Sequence, residues 1–396
     1  MFRGRAPSFR AKFFISQAVF MMTAYTASFC IFSPQAQAEP YSQLCPDARC
    51  DLNAIGITEE KEFVGLAMYL NGVKTYIVNE DTVREIPDDD KVTLEQDSWL
   101  AVVGRFNVFL IQGPGLSAKK LGTDIYVYGS QLSDNPSNNP KVVPKHLLSS
   151  VSPVLNQLRY QQLWWPFQKL ALAAEFILTN IQTHIATNWG VSIVIFSVLF
   201  KLVMLPFSSM TASLQRRTSQ IQAALAPKLL YIKQNYDGEE AHNNLMAAYK
   251  ELGVSPFYTL KPMLGTLIQI PVLIAVFNAL GEMPQLNMQS FLWVKNLAYA
   301  DAVATLPVVI PGLGGHLNLL PLLMTAVTII STMTFFNPHI SPVEQKKQKR
   351  NLYMMAATFF ILFYPFPAAM VLFWTINNLL QCVQQIVTDK EKVGSH

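Results

Sequence analysis

The sequence predicts an all-α polytopic membrane protein, a five-span core plus an N-terminal signal or first span, carrying a small, mostly-β exported domain. Three observations predict it. The chain is 51% hydrophobic and only 14% charged, against roughly 25% charged in soluble domains. Charge is missing in blocks: Phe176 to Phe200 and Leu319 to Phe336 contain no Asp, Glu, Lys or Arg, and apolar runs of about 18 residues read as membrane-spanning helices. The basic residues also alternate between loops. Ser208 to Pro262 carries Arg216, Arg217, Lys228, Lys233, Lys250 and Lys261, and Asn337 to Asn351 carries Lys346, Lys347, Lys349 and Arg350, whereas Gly281 to Asn318 has Lys295 as its only Lys or Arg.

Taken in order, residues 1–38 are a signal peptide or a first transmembrane span. Arg3, Arg5, Arg10 and Lys12 precede an apolar stretch, and Ala36-Gln37-Ala38 fits a small-x-small cleavage site. The stretch Phe13 to Phe32 is also long enough to span, so both readings stay open. Residues 39–160 form a small periplasmic domain and linker. Phe63 to Leu70, Asn71-Gly72 and Lys74 to Val78 read as a β-hairpin. Trp99 to Gln112 and Ile125 to Tyr128 read as further strands, and Ser133 to Lys145 as linker. Cys45 and Cys50 lie close together in this exported segment. An oxidising compartment favours a disulfide between them, with two free thiols as the alternative.

Residues 161–188 read as an amphipathic helix in the membrane interface. Trp165, Leu172 and Phe176 share a face, with Gln168, Glu175 and Gln182 to one side; a surface helix of the exported domain is the alternative. The spans follow within 189–388, as Gly190–Phe207, Met263–Leu280, Leu319–Phe336, Tyr353–Pro365 and Ala368–Ile386. Phe366-Pro367 makes a tight corner, since Pro cannot continue a helix. The positive-inside rule places both basic loops and the short tail 389–396 in the cytoplasm, and the exported domain and the Gly281–Asn318 loop outside. The first basic loop, 209–256, reads as a cytoplasmic helical hairpin. Its first helix is expected to be kinked or interrupted at Pro227, and its second starts on Glu239-Glu240 and stops at Gly253.

Lys201 is the one charge inside a span. It lies about 16 Å along a helix beginning at Gly190, where a cation costs at least ~2.5–3.5 kcal/mol. Either it snorkels to the cytoplasmic headgroups, or it stands in water. Ser197 and Ser208 share its stripe at 100° per residue, and Gln269 sits in mid-span before Pro271. The last span carries Trp374, Asn378, Gln381 and Gln385, flanked by Asn377 and Gln384. For the Ser and Thr residues, including Thr325, Thr328 and Thr332, interhelical packing explains as much. For Lys201 with the Asn and Gln residues, a hydrated groove explains more. No HExxH, GxSxG or phosphate-binding loop is present, and the histidines are scattered. The chain therefore reads as neither an enzyme nor a metal or cofactor protein, and nothing in it suggests sequence-specific nucleic-acid recognition.

An ordered set of motifs resembles the YidC/Oxa/Alb family of membrane protein insertases. The motifs are Asn188-Trp189-Gly190-Val191-Ser192-Ile193 with Lys201 and Leu205-Pro206; Tyr249 to Pro256; Leu267-Ile268-Gln269-Ile270-Pro271-Val272; Phe291 to Leu297; Leu319 to Met324; and Phe366 to Trp374 with Asn377-Asn378. The resemblance covers about residues 160–388. It implies a five-span core with a hydrophilic groove open to cytoplasm and lipid. The family's groove cation, usually Arg, falls on Lys201, which keeps the charge without the guanidinium fork. Ser197, Gln269, Phe373 and Trp374 fall on other groove positions. The implied partners are nascent membrane proteins, membrane lipids, the Sec translocon and the ribosome, and no ATP site is needed. A small-molecule or ion transporter using Lys201 as an anion site is the alternative; it predicts inverted repeats and broken helices, and no convincing repeat appears.

Overall fold

The computed structural model describes residues 49–393 except 55–56, 58–71, 81, 89, 96, 123, 129–139, 256, 259–260, 311–312 and 335–341. The signal segment, Cys45 and the first arm of the expected 63–78 hairpin lie outside the described residues. The second arm is strand β2, Lys74–Val78.

Two antiparallel sheets form the N-terminal part. With β1 as Arg49–Asp51, β4 as Lys91–Thr93, β7 as Ser117–Leu121 and β8 as Asp124–Tyr128, one sheet runs β1-β8-β7-β4. With β3 as Val83–Ile86, β5 as Trp99–Val103, β6 as Asn107–Gln112 and β9 as Lys141–Pro144, the other runs β3-β2-β5-β6-β9. Alternation decides which faces are covered. Leu100, Val102, Phe109 and Ile111 pack with Ala118, Ile125 and Val127 of the opposite sheet. Ala101, Val103, Val108 and Leu110 point the other way, onto Leu148, Leu155 and Leu158 of the segment after β9. The central strands are thus covered on both sides, which is why their sequences are nearly continuous apolar runs rather than alternating ones. β9 occupies part of the segment expected to be linker. It pairs with β6 from Leu110↔Lys141 to Asn107↔Pro144, and as an edge strand it can end on a proline.

The rest is helical. α1 is Trp165–His184, α2 Trp189–Asn235, α3 Gly238–Glu251, α4 Lys261–Glu282, α5 Leu319–Thr334, α6 Pro342–Phe363 and α7 Ala368–Val393. Among the described residues, α2 is the helix long and apolar enough to cross a membrane on its own; Gln269–Glu282 and Leu319–Met333 are shorter apolar stretches. A single apolar core joins α1, α2, α4, α5, α6 and α7. α2 runs unbroken through Pro206 and Pro227, so of the kink or interruption expected at Pro227 the interruption does not occur. Beyond Pro227 it stays helical while Leu225, Ile221, Leu229 and Ile232 pack on Ala248 and Tyr258, so tertiary contact outweighs the one hydrogen bond the proline removes. α3 ends where Gly253 turns at φ 62°, with Val254 N donating to Tyr249 O at 3.0 Å.

The loop between α4 and α5 ties helix ends together. Asp301 Oδ2 accepts from Leu319 N and Leu320 N at 2.8 and 2.7 Å, a carboxylate on the positive end of α5. Ala368 N and Ala369 N at the start of α7 donate to Tyr299 O and Leu297 O, which answers the orphan amides of that helix. The same loop contains an unanticipated ribbon, β10 Ala304–Ile310 with β11 Gly314–Leu317. Phe291 packs directly on Gly190 in the first turn of α2; a Cβ there would stand 2.0 Å from Phe291 Cγ. Gly190→Ala should therefore force the ring or the helix to move, at about 1–3 kcal/mol, read as a lowered unfolding temperature in detergent. An unchanged transition would show that the two elements part freely.

Candidate functional site

The helical half contains a cavity of about 230 Å³ between α2, α4 and α7. Its polar wall is Lys201, Ser208, Gln269, Asn377, Asn378 and Gln381, and its apolar wall includes Phe200, Met204, Leu273, Phe373 and Trp374. The stripe on α7 follows from helix geometry, because Trp374, Asn378 and Gln381 recur at spacings of four and three. On α4, Pro271 has no N–H, so the carbonyl of Leu267 has no helical donor, two residues from Gln269.

Lys201 Nζ donates to Gln381 Oε1, bridging α2 and α7. No carboxylate pairs with Lys201 among the described residues. Asn378 Nδ2 donates to Thr328 Oγ1 at 3.2 Å, which ties α7 to α5, and Asn377 Nδ2 donates to Phe373 O at 2.8 Å. Trp374 Nε1 is buried without an acceptor among the described residues. One end of the cavity is closed by rings: Phe373 is fully buried, its centroid 5.3 Å from Phe200 and 6.2 Å from Phe277, and Trp374 stacks on Phe363 at 5.2 Å.

Of the residues singled out in sequence, Lys201, Gln269, Phe373, Trp374, Asn378 and Gln381 come together here. Ser197 does not: it is fully buried one turn from Lys201, its hydroxyl donating to Ile193 O at 2.7 Å, away from the cavity wall. Thr325, Thr328 and Thr332 likewise donate to carbonyls four residues back, at 2.8, 2.9 and 2.9 Å. Short hydroxyl side chains can satisfy themselves this way inside a helix, and Ser208, which does line the cavity, donates to Met204 O at 2.9 Å in the same manner, so the stripe alone does not decide which hydroxyls face the groove. Phe200, Met204 and Leu273 were missed because apolar residues on an apolar helix carry no signal of which neighbour they face. Cys50 is disulfide-bonded and fully buried, with its partner outside the described residues, and Cys382 is free and buried.

A second polar cluster lies where the sheets meet the helices. Lys145 Nζ and Glu282 Oε2 are 2.7 Å apart, each side chain 5% exposed. Arg105 donates to the carbonyls of Gly281 and Ala298 and lies over the Phe106 and Tyr299 rings. Glu175 of α1 is buried, accepting from Tyr160 at 2.7 Å and Gln285 at 3.1 Å and pairing with Arg159 at 2.6 Å. Burial, reinforced by the Glu175 carboxylate, holds the Tyr160 hydroxyl well above its usual range. The sequence put Glu175 to one side of α1 with Gln168 and Gln182, and did not indicate that it is buried. Ala171, Ala174, Leu178 and Ile181 face the core with it, while Trp165 and Phe176 point outward.

Among the described residues, the helices thus enclose a polar cavity around a single lysine. The chain belongs to the 60Kd inner membrane protein family, whose sequence profile matches residues 180–395, more than half its length. It is 30% identical over 262 residues to "Membrane protein insertase YidC" of Leptospira interrogans, covering 65% of this chain and 39% of that protein. It is 28% identical over 354 residues to the protein of the same name from Chlorobaculum tepidum, covering 83% and 57%. The chain thus spans about two fifths of the length of the Leptospira relative. Among solved structures, an active YidC insertase crystal structure aligns over 79% of this chain and 83% of its own at 15% identity and a TM-score of 0.38, a likeness too loose to rest a conclusion on.

Proposed function

We propose that the chain is a membrane protein insertase and chaperone that passes nascent integral membrane proteins into the inner membrane. The observation that carries this is the cavity itself: a cation held by a neutral amide, among Asn and Gln side chains, inside otherwise apolar helices. In this reading α2, α4, α5, α6 and α7 are the five spans. The sheets and the α4–α5 loop lie outside, and the α2–α3 hairpin and the C-terminus lie in the cytoplasm, as the basic loops favour. A hydrophilic segment of the client enters the cavity without facing hydrocarbon. Its acidic groups replace Gln381 on Lys201, exchanging a neutral hydrogen bond for a charge-assisted one. The hydrophobic segment of the client then leaves sideways between apolar helices. Burial of about 20 apolar residues drives the step, so the chain needs neither cofactor nor nucleotide. The Sec translocon and the ribosome are further proposed partners, and Cys45 is the proposed partner of Cys50, which non-reducing peptide mapping tests.

A photo-crosslinker at Gln269 or Asn378 should capture a stalled nascent membrane protein, while vesicles containing the chain should take up no small anions. Anion uptake without crosslinks would favour a transporter. The α2–α3 hairpin is the proposed receptor for the arriving chain. Deleting Thr218 to Leu245 should leave the protein in the membrane but lower client insertion several-fold, and wild-type insertion by the deletion would remove that role.

A further inference from the structure

Two large apolar side chains stand in the open on backbone that resists them. Met288 is 84% exposed and Leu292 74%, and both have positive φ, 58° and 51°, a region bulky residues rarely occupy. The conformation is held by a built turn. Phe291 and Val294 exchange both backbone hydrogen bonds at 2.9 Å, and Leu297 N donates to Gln289 O at 2.8 Å. Asn296 Nδ2 donates to Asn287 Oδ1 at 3.0 Å. The turn is pinned to the first turn of α2, through the Phe291 ring on Gly190 and through Asn188 Nδ2 to Ser290 O at 3.0 Å. It therefore stands at the level where the apolar run of the spanning helix begins, which is the membrane boundary.

The surrounding charge is as informative. From Met283 to Asn318 the charged residues are Lys295 and Asp301. Asp301 is buried on the α5 N-terminus, which leaves Lys295 as the exposed one. Val308, in the uncharged ribbon that leads back to α5, is 68% exposed. Exposed apolar side chains continuing the lipid-facing surface of the spans, beside a single cation, match acyl chains below and headgroup phosphates above.

We propose that the α4–α5 loop is a lipid footing. Met288 and Leu292 insert into the leaflet on the side of the sheets, and Lys295 pairs with headgroup phosphate. In the proposed topology this is the outer leaflet, and the footing stands independently of what the cavity carries. The test uses the full chain with Cys30→Ser and Cys382→Ser, in nanodiscs of phosphatidylethanolamine and phosphatidylglycerol. A fluorescent thiol label is placed at Leu292→Cys or, as a second site, Met288→Cys, with exposed Glu80→Cys on the sheet domain as control. Labels at 292 and 288 should be quenched by lipids carrying acyl-chain nitroxides, and by iodide about fivefold less than the control, as expected for groups below the headgroups. Iodide quenching equal to that at position 80 would overturn the proposal, because the side chains would then be in water. Protection from iodide without quenching by nitroxide lipids would overturn it too, because a protein surface would then cover them.

Discussion

Replacing Lys201 with Glu should abolish most insertion of clients whose translocated segment is acidic, and leave neutral, strongly hydrophobic clients nearly untouched. The Lys201 ammonium meets the Gln381 carbonyl oxygen and no carboxylate among the described residues, so its charge is uncompensated and available. An ammonium and a carboxylate about 4 Å apart attract by ~1 kcal/mol in water and ~4 kcal/mol near a protein surface. Lys201→Ala should therefore cost acidic clients roughly tenfold, and Lys201→Glu more, because attraction becomes repulsion. Lys201→Arg should work, since charge matters more than shape in a wet site. Gln381→Glu is the sharper companion: an internal carboxylate would occupy Lys201 permanently and should mimic Lys201→Ala with the lysine still present. The measurement is insertion of a matched acidic and neutral pair into vesicles carrying each variant. Equal insertion of both clients by wild type and Lys201→Glu would show that Lys201 only snorkels or packs.

The cavity was legible because its signal is local. A lysine inside an apolar run and amides recurring at three and four residues on α7 need no partner to be noticed. The hydroxyls were less legible, since Ser197 obeys the same 100° arithmetic and yet satisfies itself on Ile193 O. The helices and several strands were legible from charge gaps and short apolar runs, but not the joins between them. β9 looked like linker because a four-residue edge strand ending in proline has little pattern of its own. The continuity of α2 through Pro227 depends on α3 packing against it, which no residue near Pro227 announces. Least legible was the junction of sheets and helices. Arg105 and Gly281 are 176 residues apart, and Lys145 and Glu282 are 137 apart. Before folding, Arg105, Lys145 and Glu282 are only ordinary charged residues near element ends and Gly281 only a glycine, and the polar side of α1 does not announce that Glu175 is buried.

That junction carries the largest expected stability effect. Lys145 and Glu282 are each 5% exposed and share no water-facing escape. Removing one member strands the other charge in the interior, which typically costs about 3–5 kcal/mol. Lys145→Met or Glu282→Leu alone should thus lower the unfolding temperature in detergent markedly and let a protease release the sheet domain from the helices. The double variant should recover most of the loss, because an apolar pair of similar volume often matches a buried ion pair. Arg105→Ala should act separately, since it leaves the carbonyls of Gly281 and Ala298 without their donor and removes the guanidinium that lies over the Phe106 and Tyr299 rings. Its effect should add to that of the double variant if the two contacts are independent. The recovery is the diagnostic part. If the double variant is as unstable as the worse single variant, the pair contributes through packing of the aliphatic stems rather than through charge. If neither single variant shifts unfolding or proteolysis, the sheet domain is not held at this contact and moves freely above the helices.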